Sequence, residues 1–464
     1  MNKKSLQLII VFAAALAFAL LGIGNPGLDA DEAASWWAAG LSWHDFWQLV
    51  SNQDLNFAPF YIFMHFWSTV SSDVWWLRLP SAVCAAAAVT ALSGFARSLY
   101  HPSAGWISAF LLVLSSGWVK YAQDARPYAA SLAAATLATW YFHSRLDRRL
   151  SRPQIFLYLG LATALPLTHL FAGLVLGVHV LMAFLRRRRG HLILALSALA
   201  PTAAVAAATF MQVGQVSWLT KLGPVDAARD MLSTFGGAWY CLVGALAVTG
   251  LTLDFLGAKR TRTMPPKALW LGLWWLAPPL IFWTASMLAT PIFTGRYVIW
   301  TLPPMVISAS FAISRLFALP SLRIAVPACL IILGLLTIPT QVQVRSEDGH
   351  NWAPQQLAAI ITSEANVNTD ALFAPGWAVR LPVLYHLSSS HLTEPLVRSS
   401  GQSTGHFEPQ LVDRVDFANK LRPYARVWVL SRAGEENVRL EGFCVSNSWH
   451  AKFDIATLSL EARC

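Results

Sequence analysis

Three carboxylates, Asp29, Asp31 and Glu32, stand within four positions of the stretch LDADEAASWW, directly after an apolar run. Acids are scarce here, with 24 Asp and Glu among 464 residues. An acid at a helix start satisfies free backbone N–H groups and suits the helix dipole, a role that fits Asp29. Two further acids exceed what a cap requires, and carboxylates beside lipid are costly unless they function. Asp31 thus reads as a cap neighbour or as a general base. Three more polar groups recur: NFAPFY at 56–61, KYAQDARPY at 120–128 and TGRYVIW at 294–300. Asp124 and Arg126 read equally as a local ion pair with an interfacial anchor or as functional residues. Arg296 and Tyr297 read equally as a snorkelling arginine with a belt tyrosine or as part of a site. His169, in LTHLF, reads first as a satisfied core histidine.

These groups need elements to position them. The chain is 55% hydrophobic and 12% charged, with mean hydropathy +0.48. Repeated apolar runs of about 17–25 residues are long enough to cross a bilayer as helices, and an outer-membrane barrel with short alternating strands does not fit. Hydropathy places about eleven spans, near 6–24, 76–97, 103–120, 127–143, 154–169, 171–185, 192–211, 231–256, 269–289, 297–315 and 324–340. The N-terminal run from Leu6 to Gly24 has no A-x-A-like site after it and reads as an uncleaved first span. Seventeen Lys and Arg residues fall on the side shared with the N-terminus, Arg262 and the RRRRG run at 186–190 among them, against six on the other side before residue 341. The positive-inside rule then sets the N-terminus in the cytoplasm and the tail outside. RRRRG is a topology determinant on this ladder, so the net charge of +10 does not point to nucleic acid. All four polar groups fall on the outer side, where they can line one cavity.

The expected domains are 1–340, spans with an aromatic outer loop at 25–75, and 341–464, a small extracytoplasmic α/β domain. In the loop, Trp43, Phe46, Trp47 and Val50 at helical spacing predict a helix in the headgroup plane, and APFYIFMHFWSTV is too short to span. In the tail, a helix is expected near 354–365 and strands near 370–374 and 426–431. Of five cysteines, Cys84, Cys241 and Cys329 lie in apolar runs and read as small core residues. Cys444 and Cys464 are able to pair if the tail is outside the cell.

Several stretches resemble bacterial members of glycosyltransferase family 39, polyprenyl-phosphate-dependent GT-C enzymes related to protein O-mannosyltransferases and aminoarabinose transferases. The likeness rests on the DE pair at 31–32, NFAPFYIF at 56–63, LRLPSA at 77–82 and YAQDARPYA at 121–129. LTH at 167–169, GRYVIWTLPP at 295–304 and EDGHNW at 347–352 extend it. Asn56 stands in place of a usual histidine, Pro59 is retained, and Asp124 replaces the more frequent glutamate.

The resemblance implies an inverting transfer of a sugar from a polyprenyl-phosphate donor to an extracytoplasmic glycan, lipid or protein acceptor, in the bacterial inner membrane. Asp31 is then the base and Glu32 its supporting or metal-binding neighbour. Arg126 and Arg296, with Lys120 third, stabilise the departing phosphate. Asp124, Gln123, Tyr128, Asn56, Pro59, Tyr61, His169 and Tyr297 complete the pocket. The resemblance leaves room for a divalent metal ion, with Glu32 as its candidate ligand, but no ligand spacing demands one. The competing readings are a GT-C ligase or polymerase with a diphosphate-linked donor, a non-enzymatic lipid or glycan transporter, and a scaffold whose acids only cap helices.

Overall fold

The computed structural model describes residues 3–212, 219–261, 267–350, 352–387, 392–432, 440–451 and 455–464. Arg262 of the charge count and Asn351 of EDGHNW lie outside the described residues. The chain divides into two compact units, Met1–Leu21 with Arg78–Val342, and Gly22–Leu77 with Gln343–Cys464.

The first unit is helical. Among the described residues seven helices are long and apolar enough to cross a membrane, and an eighth passage is the bent pair Pro102–Val113 and Ser116–Ala122. Tyr128–Arg145, Arg152–Thr168 and the run Leu170–Leu185 are shorter or less apolar. These three coincide with the expected spans near 127–143, 154–169 and 171–185, but among the described residues only the eight have the length and apolarity of a membrane passage. Side-chain ties sort the helix ends into two sets, as alternating passages require. At one end Gln7 Nε2 donates to Ser93 Oγ at 3.3 Å, Arg97 donates to Gln7, and Lys267 donates to the Leu99 carbonyl. At the other, Gln123 Nε2 donates to the Ala19 and Leu21 carbonyls at 2.7 Å each. There too Ser115 Oγ donates to Phe235 O at 2.9 Å and Gln341 Nε2 to Leu114 O at 2.8 Å. The chain is an α-helical polytopic membrane protein with a small strand-containing C-terminal region.

Two spans depart from the hydropathy reading. The third bends by 73° after Val113, where Ser115 caps the second piece. The eighth starts at Gly237 rather than near 231. Gly236 at φ +99° and Gly237 at φ +33° end the helix Pro224–Phe235, whose Asp226, Arg229 and Asp230 suit an interface rather than lipid. Cys241 and Cys329 are exposed rather than core residues, because they face outward on helices whose outer side meets lipid.

Polar packing holds the span interior together. His179, fully buried, accepts or donates at both ring nitrogens, to Tyr158 Oη and Thr139 Oγ1 at 3.0 Å each, tying three passages together. The helices Gly237–Thr261 and Leu302–Phe317 approach closely at Gly250, where a Cβ would lie 1.9 Å from the Ser308 carbonyl oxygen. Gly250→Leu is expected to destabilise the purified protein by about 3 kcal/mol or more, because overpacking forces the helices apart. Gly257→Leu, on the same helix with nothing within 4 Å of its Cβ position, is expected to leave the thermal unfolding midpoint in detergent unchanged. Equal midpoints for the two variants would contradict this packing.

The second unit joins the 25–75 loop to the tail, a grouping different from the expected one. Its loop helices are Ala30–Ala39, Trp43–Asn52 and Ala58–Trp67. The tail supplies the helices Pro354–Glu364 and Trp377–His386 and the strands β1 (Asp370–Phe373), β2 (Val397–Ser399), β3 (Gln410–Leu411), β4 (Arg426–Arg432), β5 (Phe443–His450) and β6 (Ala456–Arg463). The main sheet runs β1-β4-β6-β5, with β1 parallel to β4 and the other pairs antiparallel, and β2 pairs with β3. One face packs Trp352, Leu357, Ile361, Trp428 and Leu458, the other Phe373, Phe417, Val427 and Val429. The helix expected near 354–365 and the strands near 370–374 and 426–431 are all present. Loop and tail interlock through aromatics and hydrogen bonds. Trp36 meets Tyr385 edge-on at 5.1 Å, Trp37 lies 5.6 Å from Phe407, and Gln402 Nε2 donates to Asp45 Oδ2 at 3.0 Å. Phe46 and Val50 are buried while Trp43 and Trp47 are exposed, so the expected single lipid-facing stripe is split between core and surface. Cys444 and Cys464 form a disulfide that fastens the edge strand β5 to the end of the chain.

Candidate active site

In the second unit, Asp29 caps the helix Ala30–Ala39. Its Oδ1 accepts from the Glu32 N–H at 3.0 Å, and Glu32 Oε2 accepts from the Asp29 N–H at 3.2 Å. This reciprocal capping box satisfies two otherwise orphaned donors. Glu32 is also fully buried, 3.1 Å from His350 Nδ1 of the tail. Its oxygens thus anchor the helix start to the tail, a positioning duty that composition did not reveal. Asp31, between the two, is half-buried, and Ser35 Oγ donates to its backbone carbonyl at 3.1 Å. The cap and the Glu32–His350 pair hold the turn that carries Asp31.

In the NFAPFY stretch, Asn56 lies in a 3₁₀ turn and Pro59 in the first turn of Ala58–Trp67, where a missing N–H costs nothing. Tyr61, fully buried, donates to Asp54 Oδ2 at 2.7 Å, and Asp54 takes the left-handed conformation at φ +56°. The Asn56 Oδ1 is buried and accepts no hydrogen bond among the described residues.

In the first unit, the QDARPY stretch is a tight turn between the helices Ser116–Ala122 and Tyr128–Arg145. Arg126 N–H donates to Asp124 O at 2.8 Å, and Ser81 Oγ of LRLPSA donates to Arg126 O at 3.1 Å. Asp124 and Arg126 are both buried. Gln123 serves the backbone, closing the last carbonyls of the first span. Tyr128 lies 5.8 Å from His169, and His169 lies 5.0 Å from Tyr297. The Arg296 guanidinium sits over the Tyr297 ring at 5.6 Å, and both Arg126 and Arg296 lie within electrostatic reach of His169. The GRY turn is set by Asp230, whose Oδ2 accepts from the Gly295 N–H at 2.6 Å. His169 is buried, and its Nδ1 has no hydrogen-bond partner among the described residues.

The structure therefore brings Arg126, Tyr128, His169, Arg296 and Tyr297 together from three sequence regions. Lys120, half-buried one turn earlier, has no hydrogen bond or ion pair with that group among the described residues. Two guanidinium groups and two tyrosines gather near a buried imidazole, a cationic, donor-rich cluster whose chemistry suits a phosphate. His350, Ser81 and Asp230 were missed by sequence reasoning because each acts through a partner distant in sequence.

No protein-family model matches the chain, and no curated protein does. Among solved structures, ArnT from Cupriavidus metallidurans bound to undecaprenyl phosphate matches with TM-score 0.57 at 11% identity, over 98% of each chain. The chain has the GT-C fold. A second GT-C structure, the oligosaccharyltransferase AglB from Archaeoglobus fulgidus in complex with an inhibitory peptide and a dolichol-phosphate, matches with TM-score 0.54 at 10% identity. That match covers 92% of this chain and 70% of AglB. At such identities the GT-C likeness establishes the course of the backbone; the roles of individual side chains rest on their own chemistry.

Proposed function

We propose that this protein is an inverting membrane glycosyltransferase that moves a sugar from a polyprenyl-phosphate donor to an acceptor hydroxyl. The observation that carries this reading is the pocket of Arg126, Arg296 and His169 in a GT-C fold, the fold of a protein solved with undecaprenyl phosphate bound. In the proposed reaction the acceptor oxygen attacks the anomeric carbon from the face opposite the phosphate. The anomeric carbon–oxygen bond to the phosphate breaks, and its electron pair leaves with the phosphate. The acceptor proton passes to the Asp31 carboxylate, since a hydroxyl with a pKa far above 7 attacks poorly unaided. The leaving phosphate needs no proton but needs its charge stabilised, the part given to Arg126 and Arg296. Asp124, Tyr128 and Tyr297 shape the phosphate pocket; Glu32 and His350 hold the Asp31 turn.

Mass spectrometry of glycolipids and glycans from a deletion strain tests the reading. Loss of one hexose, pentose or amino sugar, restored by the wild-type gene, is expected and names donor and acceptor together. An unchanged glycan profile under several growth conditions contradicts transferase function.

The proposed site is extracytoplasmic, with the N-terminus inside. The skewed cation distribution supports this, and so does the Cys444–Cys464 disulfide, since such bonds persist in oxidising compartments. In a variant lacking Cys84, Cys241 and Cys329, a membrane-impermeant maleimide is expected to label the tail of intact cells only after an impermeant reductant is added. Labelling that requires lysis would place the tail inside.

A further inference from the structure

At the opposite end of the first unit, away from the proposed phosphate pocket, lies a shallow notch lined by His143, Leu146, Met182, Leu185, Arg186 and Trp270. Its polar groups come from three separate places in the chain, and Arg186 and Lys267 are its cations. His143 ends one helix, Arg186 follows another, and Lys267 starts a third; both Arg186 and Lys267 lie within electrostatic reach of His143. The floor is aromatic: Trp270 stacks on Phe95 at 5.9 Å and lies 5.6 Å from His143, and Lys267 Nζ sits 4.6 Å over the Tyr100 ring.

Two acids lie nearby, Asp147 within electrostatic reach of Arg186 and Asp254 within reach of Lys267, and both are shared with other donors. Asp147 is bound to Arg188 at 2.7 Å, and Asp254 Oδ2 accepts the Ala268 N–H at 2.7 Å beside Lys267. The Arg186 guanidinium makes no hydrogen bond or ion pair with any described residue. A topology determinant needs only charge on the correct side of the membrane; it needs neither a notch nor an aromatic floor. Phe184, Leu269 and Leu273 are exposed beside the notch, so an occupant meets cations at one end and an apolar surface at the other.

We propose that this notch binds the phosphate of an anionic phospholipid, with Arg186 and Lys267 on the headgroup and the acyl chains along Phe184, Leu269 and Leu273. Basic notches between spans at a membrane surface suit such headgroups, and a guanidinium pairs with phosphate through two parallel hydrogen bonds. The lipid would brace the ends of three passages, of which only the first two are joined by an ion pair among the described residues, Asp147 with Arg188.

Native mass spectrometry of the full-length, delipidated protein tests this, with phosphatidylglycerol or phosphatidylcholine of identical acyl chains added back. The wild type is expected to retain phosphatidylglycerol about tenfold more than phosphatidylcholine. Arg186→Gln and Lys267→Gln are each expected to erase most of that preference. Arg149→Gln, an exposed arginine outside the notch, is expected to change it less than twofold. Equal retention of the two lipids by the wild type, or equal losses in Arg149→Gln and Arg186→Gln, would overturn the proposal. So would full competition by sn-glycerol 3-phosphate at matched concentration, which would mark a free-phosphate site. Arg186 is exposed and unpaired, so its substitution spares folding, and thermal unfolding of each variant checks that.

Discussion

Replacing Asp31 by asparagine is expected to lower sugar transfer by about 10²–10⁴-fold, the range for removing a positioned general base. Asparagine keeps the size of the side chain and its place in the first helical turn, but it cannot take the acceptor's proton. The fold is expected to survive, because the local structure depends on its neighbours: Asp29 and Glu32 make the cap, and Glu32 meets His350. Two controls separate chemistry from architecture. Asp29→Ala removes the cap and is expected to cost about 0.5–2 kcal/mol of stability, with activity falling in step with the folded fraction. His350→Ala leaves Glu32 buried without its partner and is expected to cost about 3–5 kcal/mol. Transfer is read by restoration of the missing glycan in the deletion strain and, once the donor is named, by initial rates in proteoliposomes. Thermal unfolding of each purified variant supplies the second axis. Unchanged transfer by Asp31→Asn would sink the assignment of the base, and a loss of transfer matched by a loss of fold would reduce Asp31 to a structural residue.

The second large effect is expected from the arginines. Arg296→Gln removes one cation from the phosphate pocket and is expected to reduce transfer by about 10²–10³-fold, as for loss of one donor to a developing anion. Arg296 is half-buried, so the substitution leaves little empty space and the fold is expected to hold. Arg126→Gln is expected to match it in rate, with an added stability cost because Arg126 is buried in the turn that Ser81 secures. Arg296→Lys keeps the charge but loses the planar fork, so partial activity is expected. Lys120→Gln is expected to have a much smaller effect, since Lys120 is not tied to the group. Equal effects of Lys120→Gln and Arg296→Gln would mean that the phosphate sees only diffuse positive charge. No effect of either arginine substitution would remove the pocket from the mechanism.

The spans were legible because lipid imposes a length and a composition on each backbone passage. Helices run through all eleven stretches chosen by hydropathy, although 103–120 is bent between two helices and 231–256 is divided between two. The failures were local and have local causes. The apolar run through 231–256 conceals two glycines in left-handed backbone, which split one stretch into an interfacial helix and a span. The bend after Val113 comes from a serine that caps the next helix, a polar act that hydropathy averages away. The aromatic stripe of Trp43, Phe46, Trp47 and Val50 has one helical period but two destinations, because Phe46 and Val50 are buried while Trp43 and Trp47 are exposed. In the tail, β5 is largely exposed and β6 follows soon after it, so neither carries the apolar pattern that marked β1 and β4.

By itself the sequence determined the membrane class, the order of the apolar helices, the uneven spread of the cations and the short stretches rich in chemistry. Each of these depends on composition within one segment, which a bilayer reads one segment at a time. Only the tertiary structure decided which of those stretches meet. It joined Arg126, Tyr128, His169, Arg296 and Tyr297 across 171 positions of sequence, and it tied Glu32 to His350 across 318. It also showed that Glu32, one of three neighbouring acids, is bound both to the helix start and to His350. Such assignments depend on pairwise distances between remote residues, and no local pattern encodes them.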